Sequence, residues 1–121
     1  MAVFGQCPGL DIEQGVDQFG GSEEVYFSIL RYFVADMDDL LKAMSDPTVE
    51  GLEEYAKTAH AIKGASRNVF ASAIGNAAEA QEKAAKEGDF AFIAVHNAAF
   101  LADAKQLVND IEAMLGTSEA S

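Results

Sequence analysis

The chain has 121 residues, half of them hydrophobic, and a formal net charge of −12. This length allows one compact domain, and this composition can bury a single core. An acidic surface repels nucleic acid phosphates and anionic lipid headgroups, so binding to DNA, to RNA or to a membrane surface is disfavoured. The one cysteine, Cys7, excludes an intramolecular disulfide and fits a reducing cytoplasm. We interpret it as an incidental thiol in a loose N-terminal segment.

The sequence predicts neither a secretory signal nor a membrane span. Residues 1–9 contain no Lys or Arg, so the charged start of a signal peptide is missing. The longest nearly apolar run, residues 91–102, is interrupted by His96 and Asn97 and is too short to cross a bilayer. We therefore expect a soluble, cytoplasmic protein, and nothing in the sequence requires a dimer, so a monomer is expected.

Helix signals begin near the N-terminus. Asp11 can cap a short helix that contains Ile12 and Val16 and ends at Gly20-Gly21. Ser22 can cap a longer helix, with two acidic residues in its first turn. Apolar residues recur every three or four positions along this second helix, which predicts one buried stripe of Val25, Ile29, Phe33, Met37, Leu40, Leu41 and Met44.

Three further helices are predicted. Asp46-Pro47, a capping acid before a proline, indicates the start of the third. An alanine-rich fourth helix spans roughly residues 72–86 and ends at Gly88. Asp89 caps the last and longest helix, which is expected to end before Gly116. The third and last helices have predicted buried faces of Leu52, Tyr55, Ala59, Ile62, Ser66 and Val69, and of Ile93, Phe100, Ala104, Leu107, Val108, Ile111 and Leu115.

These elements predict an all-α fold, an antiparallel four-helix bundle with a short additional N-terminal helix. The predicted boundaries are a flexible segment over residues 1–8, the bundle over residues 9–116 and a frayed tail over residues 117–121. The sequence shows no internal repeat and no second domain.

His60 lies on the wrong face of the third helix for a core residue. Successive residues are about 100° apart, so His60 lies about 160° from Ile62 at the centre of the buried stripe. Lys63, Gly64 and Arg67 follow it by three, four and seven residues and share its face. The sequence therefore predicts an exposed histidine with two cations and a glycine beside it.

Gly64 has no structural explanation on a solvent-facing surface, although glycine inside a helix costs about 1 kcal/mol. A missing Cβ would open space beside the imidazole for a phosphoryl group or for the active site of another protein. Neutral imidazole is nucleophilic, and a phosphoryl group brings negative charge that Lys63 can bind. Arg67 can do the same or can steer an acidic partner, and an ordinary solvated charge is an equal alternative for it.

A group bonded to the second ring nitrogen of His60 would fix the tautomer of the imidazole. The candidates on the neighbouring helix are Gln81 and Glu82, and the sequence does not decide between them. Each of them also fits a surface polar residue with no such role.

The segment Ala59-His60-Ala61-Ile62-Lys63-Gly64-Ala65-Ser66 resembles the motif of histidine-containing phosphotransfer (HPt) domains, which act in multistep two-component phosphorelays. That motif has a histidine, any residue, an aliphatic residue, Lys-Gly and then small residues. Arg67-Asn68 is also familiar at this position. Residues 11–21 resemble the N-terminal segment of the family and residues 23–41 its first long helix, so the likeness covers about residues 9–115.

The resemblance implies that His60 is the phosphoacceptor, Lys63 the cation near the phosphoryl oxygens and Gly64 the residue that gives clearance. The supporting residues are Ser66, Arg67, Gln81 and Glu82. The implied partner is a receiver domain, in a response regulator or a hybrid sensor kinase, whose aspartate and Mg²⁺ supply most of the catalytic groups. The chain itself would bind no cofactor and would have no ATP site, so it would be a phosphoryl carrier and not a kinase.

The chain departs from the family pattern at a few positions. Many members have glycine ten residues after the histidine, where this chain has Phe70. Leucines common in the next helix are replaced by Ala77 and Gln81. Phe70 could instead be a semi-exposed aromatic that helps to define a docking surface.

Two alternative functions follow from the bundle. A helical module could dock a signalling protein without being phosphorylated, although docking alone does not require the combination of His60, Lys63 and Gly64. A carboxylate-bridged metal site requires Glu-x-x-His pairs, and neither His60 nor His96 has one, so no metal is expected. His96 lies near the edge of the last helix's stripe and is expected at the boundary of the core or within it.

Overall fold

The computed structural model describes residues 7–120, and the side chains of residues 7–116. This part of the chain forms five helices and no strand. The helices are α1 (Ile12–Gln18), α2 (Glu23–Ala43), α3 (Leu52–Asn68), α4 (Ser72–Lys86) and α5 (Phe90–Ala120). The all-α prediction, with a short helix before four longer ones, is confirmed.

Side-chain caps set three of the helix starts. The backbone N–H groups of Gln14, Val25 and Phe92 donate to Asp11 Oδ1, Ser22 Oγ and Asp89 Oδ1 at 3.1, 3.2 and 3.1 Å. All three caps were predicted, because a short polar side chain satisfies one of the otherwise unbonded N–H groups of a helix's first turn. The predicted bounds of α4 are also confirmed, with Gly88 in the left-handed conformation after it.

The start of α3 differs from the prediction at Asp46-Pro47. The helix begins at Leu52, and the N–H of Gly51 donates to Thr48 Oγ1 at 3.0 Å in the turn before it. This local turn takes the place of a first helical turn at Pro47. The buried face of α3 is nevertheless the predicted one, with Leu52, Tyr55, Ala59, Ile62, Ser66 and Val69 all buried.

From Phe33 onward the buried residues of α2 are all predicted ones, whereas its first two turns are rotated relative to the prediction. Val25 is 45% exposed, whereas Tyr26 and Leu30 are fully buried. The Tyr26 ring packs against Gly15 of α1, where an added Cβ would clash with the ring, and its hydroxyl donates to the carbonyl of Val69 at 2.7 Å. These contacts with α1 and the end of α3 turn Tyr26 inward.

The N-terminal segment is held against the bundle where it is described. Cys7 is 1% exposed, and burial, with a smaller contribution from Asp110, raises the pKa of its thiol to about 11. The expectation that Cys7 lies in a loose segment is therefore wrong, and its interpretation as an incidental thiol stays a prediction. Gly9 packs against Leu107, and the N–H of Asp11 donates to the carbonyl of Phe70 at 3.0 Å. The rest of the predicted flexible segment, residues 1–6, lies outside the described residues.

Two predictions about α5 are wrong. The helix continues through Ala120 instead of ending before Gly116. Gly116 does not adopt the left-handed conformation of Gly88, and a glycine within a helix costs only about 1 kcal/mol. His96 is exposed and its ring lies tilted against that of Phe92, with ring centroids 4.3 Å apart. The buried residue at this point of α5 is its neighbour Asn97. The proposed domain boundaries stay a prediction.

The four longer helices pack around one core, with α3 beside α4 and α5 beside α2 and α4. Within the described residues, no helix combines the length and the apolar character that a membrane span requires. The largest fully buried hydrophobic side chains are Tyr26, Leu30, Met37, Met44, Ile62, Ile93, Ile111 and Met114.

Candidate functional site

His60 projects from the middle of α3 into solvent. Its side chain is 65% exposed, whereas Ile62 two residues later is fully buried. The predicted exposure of His60 is therefore confirmed. Its Nδ1 lies 2.9 Å from Oε2 of Glu82 on α4, so the neighbouring helix holds one side of the ring.

Glu82 is 4% exposed and meets basic groups with both carboxylate oxygens. Lys63 Nζ lies 2.8 Å from Oε1, and Lys86 Nζ lies 2.9 Å from Oε2, the oxygen that also faces His60. Hydrogen bonds from Lys63 and then Lys86 lower the pKa of Glu82 to about 2, although burial acts in the opposite direction. The carboxylate is therefore ionised at neutral pH.

An ionised carboxylate can only accept a hydrogen bond, so Nδ1 of His60 must carry the ring proton that it donates to Glu82. In a neutral imidazole the proton on Nδ1 leaves Nε2 with a free lone pair. Within the described residues, Nε2 has no hydrogen-bond partner. The arrangement therefore makes Nε2 the nucleophilic atom of an exposed ring.

The two candidates for orienting the imidazole have different positions. Both Gln81 and Glu82 are buried, so the interpretation of either as a surface polar residue is wrong. Glu82 contacts His60, whereas Gln81 Nε2 donates to the hydroxyl of Tyr55 at 2.7 Å inside the bundle. Glu82 is thus the residue that can fix the tautomer of His60.

Gly64 and Lys63 occupy the positions that the helical spacing predicts. A Cβ built on Gly64 would meet no heavy atom within 4 Å, so no packing contact requires glycine at this position. The Lys63 side chain is only 20% exposed, because it lies along α4 in its ion pair with Glu82. The space beside His60 is open, and a cation is held close to it.

Neither Arg67 nor Ser66 forms a hydrogen bond with the imidazole of His60. The guanidinium of Arg67 crosses to α4, where it donates to Asn76 Oδ1 at 3.1 Å and pairs with Glu79. This pairing lowers the pKa of Glu79. Ser66 is fully buried, and its hydroxyl has no hydrogen-bond partner among the described residues. Ser66 therefore lies in the core beneath the site.

Lys86 is a site residue that the sequence analysis missed. It follows Glu82 by four residues, so both side chains lie on one face of α4, and this spacing is the signal that could have found it. Its side chain is 65% exposed. Lys86 also lines, with His60, a cleft of about 560 Å³ between α3 and α4. The other residues of the cleft are Leu52, Glu53, Ala56, Lys57, Glu82 and Ala85.

Charge is distributed unevenly around this cleft. Five of the eight Lys and Arg residues lie between positions 52 and 88, where they equal the number of Asp and Glu residues. The net charge of −12 therefore comes entirely from the rest of the chain. The segment that carries His60 is therefore neutral, and the rest of the chain is acidic.

Phe70, two residues after the end of α3, has an unusual backbone conformation. Its φ of +66° is the left-handed value that favours glycine, and it is the one non-glycine residue with positive φ in the described part of the chain. The side chain is partly buried against the core, and it lines a surface cleft with residues 8–13. Phe70 is not among the residues that line the cleft of His60.

A comparison with protein families gives one match. The family model described as the Hpt domain matches residues 28–117. The matched segment contains all of α3 and α4, and therefore both His60 and Glu82. No curated protein and no solved structure matches the chain.

Proposed function

The chain belongs to the Hpt domain family, and on that basis we propose that His60 is its phosphoacceptor and exchanges a phosphoryl group with the aspartate of a receiver domain. Hpt domains are phosphocarrier modules of two-component phosphorelays and are not kinases. One observation carries the assignment to His60: an exposed imidazole whose Nδ1 donates to a buried, ionised carboxylate.

The proposed step is a phosphoryl exchange between nitrogen and oxygen. The lone pair of His60 Nε2 attacks the phosphorus of an aspartyl phosphate on the receiver. The Nε2–P bond forms while the bond from phosphorus to the aspartate oxygen breaks, and the aspartate leaves as a carboxylate. The imidazole keeps its Nδ1 proton and gains positive charge, and the reverse reaction returns the phosphoryl group to the aspartate.

Glu82 supports this step in two ways. By accepting the Nδ1 proton it fixes the neutral ring in the tautomer whose lone pair is on Nε2. Its negative charge then stabilises the positive charge that develops on the ring, and it is already in place, which is the condition for electrostatic catalysis.

Lys63, Lys86 and Gly64 serve the phosphoryl group. Each lysine forms an ion pair with Glu82, the same carboxylate that faces the imidazole. Each can turn its ammonium toward phosphoryl oxygens. Lys86 is the more exposed of the two and shares the cleft with His60. The open space at Gly64 admits the phosphoryl group and the receiver's active site.

The receiver would dock over the cleft between α3 and α4. Leu52, Ala56 and Ala85 give this cleft an apolar surface, with His60 and lysines beside it. The acidic active site of a receiver, which would hold Mg²⁺, meets a neutral surface here and net negative charge elsewhere. Mg²⁺ on the partner, a monomeric state and a cytoplasmic location remain predictions.

The test is transfer of labelled phosphate from a panel of phosphorylated receiver domains. The wild type should acquire acid-labile label, and His60→Gln should acquire none. His96→Gln is the matched control, because His96 is the other histidine, is exposed and contacts only the Phe92 ring among the described ring pairs. That variant should be labelled like the wild type.

The outcomes separate the two functions. Label on His60→Gln would place the phosphoacceptor elsewhere. A receiver that binds the wild type without ever labelling it would favour the non-phosphorylated docking module.

A further inference from the structure

A chain of buried hydrogen bonds connects the four helices of the bundle. Gln81 Nε2 on α4 donates to the Tyr55 hydroxyl on α3 at 2.7 Å. That hydroxyl donates to Asn97 Oδ1 on α5 at 2.6 Å, and Asn97 Nδ2 donates to the carbonyl of Met44 at 2.9 Å. Met44 is the C-cap of α2, where carbonyl groups lack partners within the helix. We name Gln81, Tyr55 and Asn97 the buried polar chain.

Apolar packing gives α4 little to fix its rotation. Ile74 is the only large hydrophobic residue among its buried positions, and most of the others are alanine or glycine. Alanines present similar small surfaces in several orientations, so a helix that packs through them can rotate or slide at low cost. A directional hydrogen bond in the core does not tolerate such a shift, because it would leave buried polar groups without partners.

The buried polar chain lies next to Glu82. Gln81 and Glu82 are adjacent on α4, and each bonds to a residue of α3: Gln81 to Tyr55 and Glu82 to His60. A rotation of α4 that moves the carboxylate away from the imidazole therefore also moves the Gln81 amide away from the Tyr55 hydroxyl. The two contacts are coupled because they are made by adjacent residues of one helix.

We propose that the buried polar chain is a positioning device, which fixes the rotation of α4 so that Glu82 stays on Nδ1 of His60. Gln81, Tyr55 and Asn97 are thus positioning residues for the nucleophile, although none of their hydrogen bonds touches it. A buried polar contact that specifies how helices align has this kind of role in coiled coils. The inference rests on the proposed function for its biological meaning, and its geometric content is independent of phosphoryl transfer.

Tyr55→Phe tests the inference, because it removes the hydroxyl and keeps the ring. The ¹⁵N resonances of the His60 ring report which nitrogen carries the proton. We expect the Nδ1–H form to dominate in the wild type and to lose population to the Nε2–H form in Tyr55→Phe. Phosphoryl transfer should slow by about 2- to 30-fold, the range for residues that act on a site without touching it.

Tyr26→Phe is the matched control. Tyr26 is also a buried tyrosine whose hydroxyl makes a hydrogen bond between elements, to the carbonyl of Val69 at 2.7 Å. This variant should lose stability to a similar extent and keep the wild-type tautomer and transfer rate. An equal change of tautomer in both variants would overturn the inference, since it would indicate general loosening of the bundle.

A second variant covers the case in which Tyr55→Phe does not fold. The triple variant Tyr55→Phe/Gln81→Met/Asn97→Leu replaces the buried polar chain with apolar groups of similar size, so that only the Met44 carbonyl loses its partner. If it folds with the Nδ1–H form still dominant, the inference is wrong. The resonances need no phosphoryl donor, so a wild type that is never labelled would contradict the proposed function and leave this inference standing.

Discussion

The α2–α5 pair and the α3–α4 pair bury different kinds of residue. From α2 and α5 the core receives large apolar side chains, such as Leu30, Met37, Ile93 and Ile111, and each is fully buried. From α4 it receives mostly alanine, together with Gln81 and Glu82. The first pair supplies most of the large apolar area, and the second holds charges and hydrogen bonds in defined places.

This difference separates stability from chemistry within one bundle. Small side chains let α4 lie close enough to α3 for Glu82 to reach His60 and Lys63. The same small side chains bury less apolar area per residue, and the α2–α5 pair compensates for it. Changes in the large apolar side chains of the first pair should therefore alter stability, and changes in the charged and hydrogen-bonded residues of the second should alter phosphoryl transfer.

Leu30→Ala should give the largest effect. Leu30 is fully buried, and truncation of a core leucine costs about 2–5 kcal/mol of unfolding free energy. Urea unfolding measures this loss. Labelling of the fraction that remains folded should equal that of the wild type. A folded variant that accepts no label would contradict the separation of the two pairs.

Glu82→Gln should change the pH dependence of stability. The folded-state pKa of Glu82, about 2, lies below its ordinary value of 4.5, so the unfolded chain binds the proton more readily. The carboxylate therefore stabilises the fold above about pH 5, and this contribution is lost as the pH falls toward 2.

Unfolding free energies measured at pH 7, 5 and 3 should fall less steeply in Glu82→Gln than in the wild type. Transfer at neutral pH should also be slower, because no negative charge faces the phosphorylated ring. Parallel pH curves for the two proteins would contradict the depressed pKa of Glu82.

Gly64→Ala should affect stability and transfer in opposite directions. Alanine in place of glycine inside a helix contributes about 1 kcal/mol, and the added Cβ meets no atom within 4 Å. Thermal unfolding should show this gain. Transfer from the receiver should slow, since the Cβ takes up space beside His60. A stabilised variant with an unchanged transfer rate would remove the clearance role of Gly64.

The smallest effect on stability is expected at Phe70, where two variants are compared. Phe70→Gly and Phe70→Ala lose the same ring contacts, but only alanine keeps the strain of φ +66°. The left-handed conformation costs a residue with a Cβ about 1–2 kcal/mol, and glycine loses about 0.5–1 kcal/mol in chain entropy. Phe70→Gly should therefore be the more stable of the two by about 0.5–1 kcal/mol in urea unfolding. The reverse order would show that the turn is not strained.

Local rules predicted the parts of the fold that depend on neighbouring residues. The caps at Asp11, Ser22 and Asp89 are such cases, because each bonds to a backbone group three residues away. The burial of Cys7 and the exposure of His96 were missed. Both depend on which distant segments pack together, as when Gly9 meets Leu107.

In the candidate site, too, local rules predict some features, and the packing of distant segments decides the others. Helical periodicity alone placed His60 in solvent with Lys63 and Gly64 on its face. The choice between Gln81 and Glu82 depends on how α3 and α4 cross, because adjacent residues of one helix point about 100° apart. No sequence spacing encodes that crossing, so the tautomer of the histidine could not be derived from the sequence.

Arg67 and Gly75 are constrained as a pair. A Cβ on Gly75 would lie 2.9 Å from Cγ of Arg67, so glycine makes room for the arginine stem to cross α4 toward Asn76 and Glu79. In homologous chains these two positions should therefore covary: a larger residue at position 75 should accompany a shorter one at position 67. An arginine retained at 67 over an alanine at 75 would have to take another path across the helix.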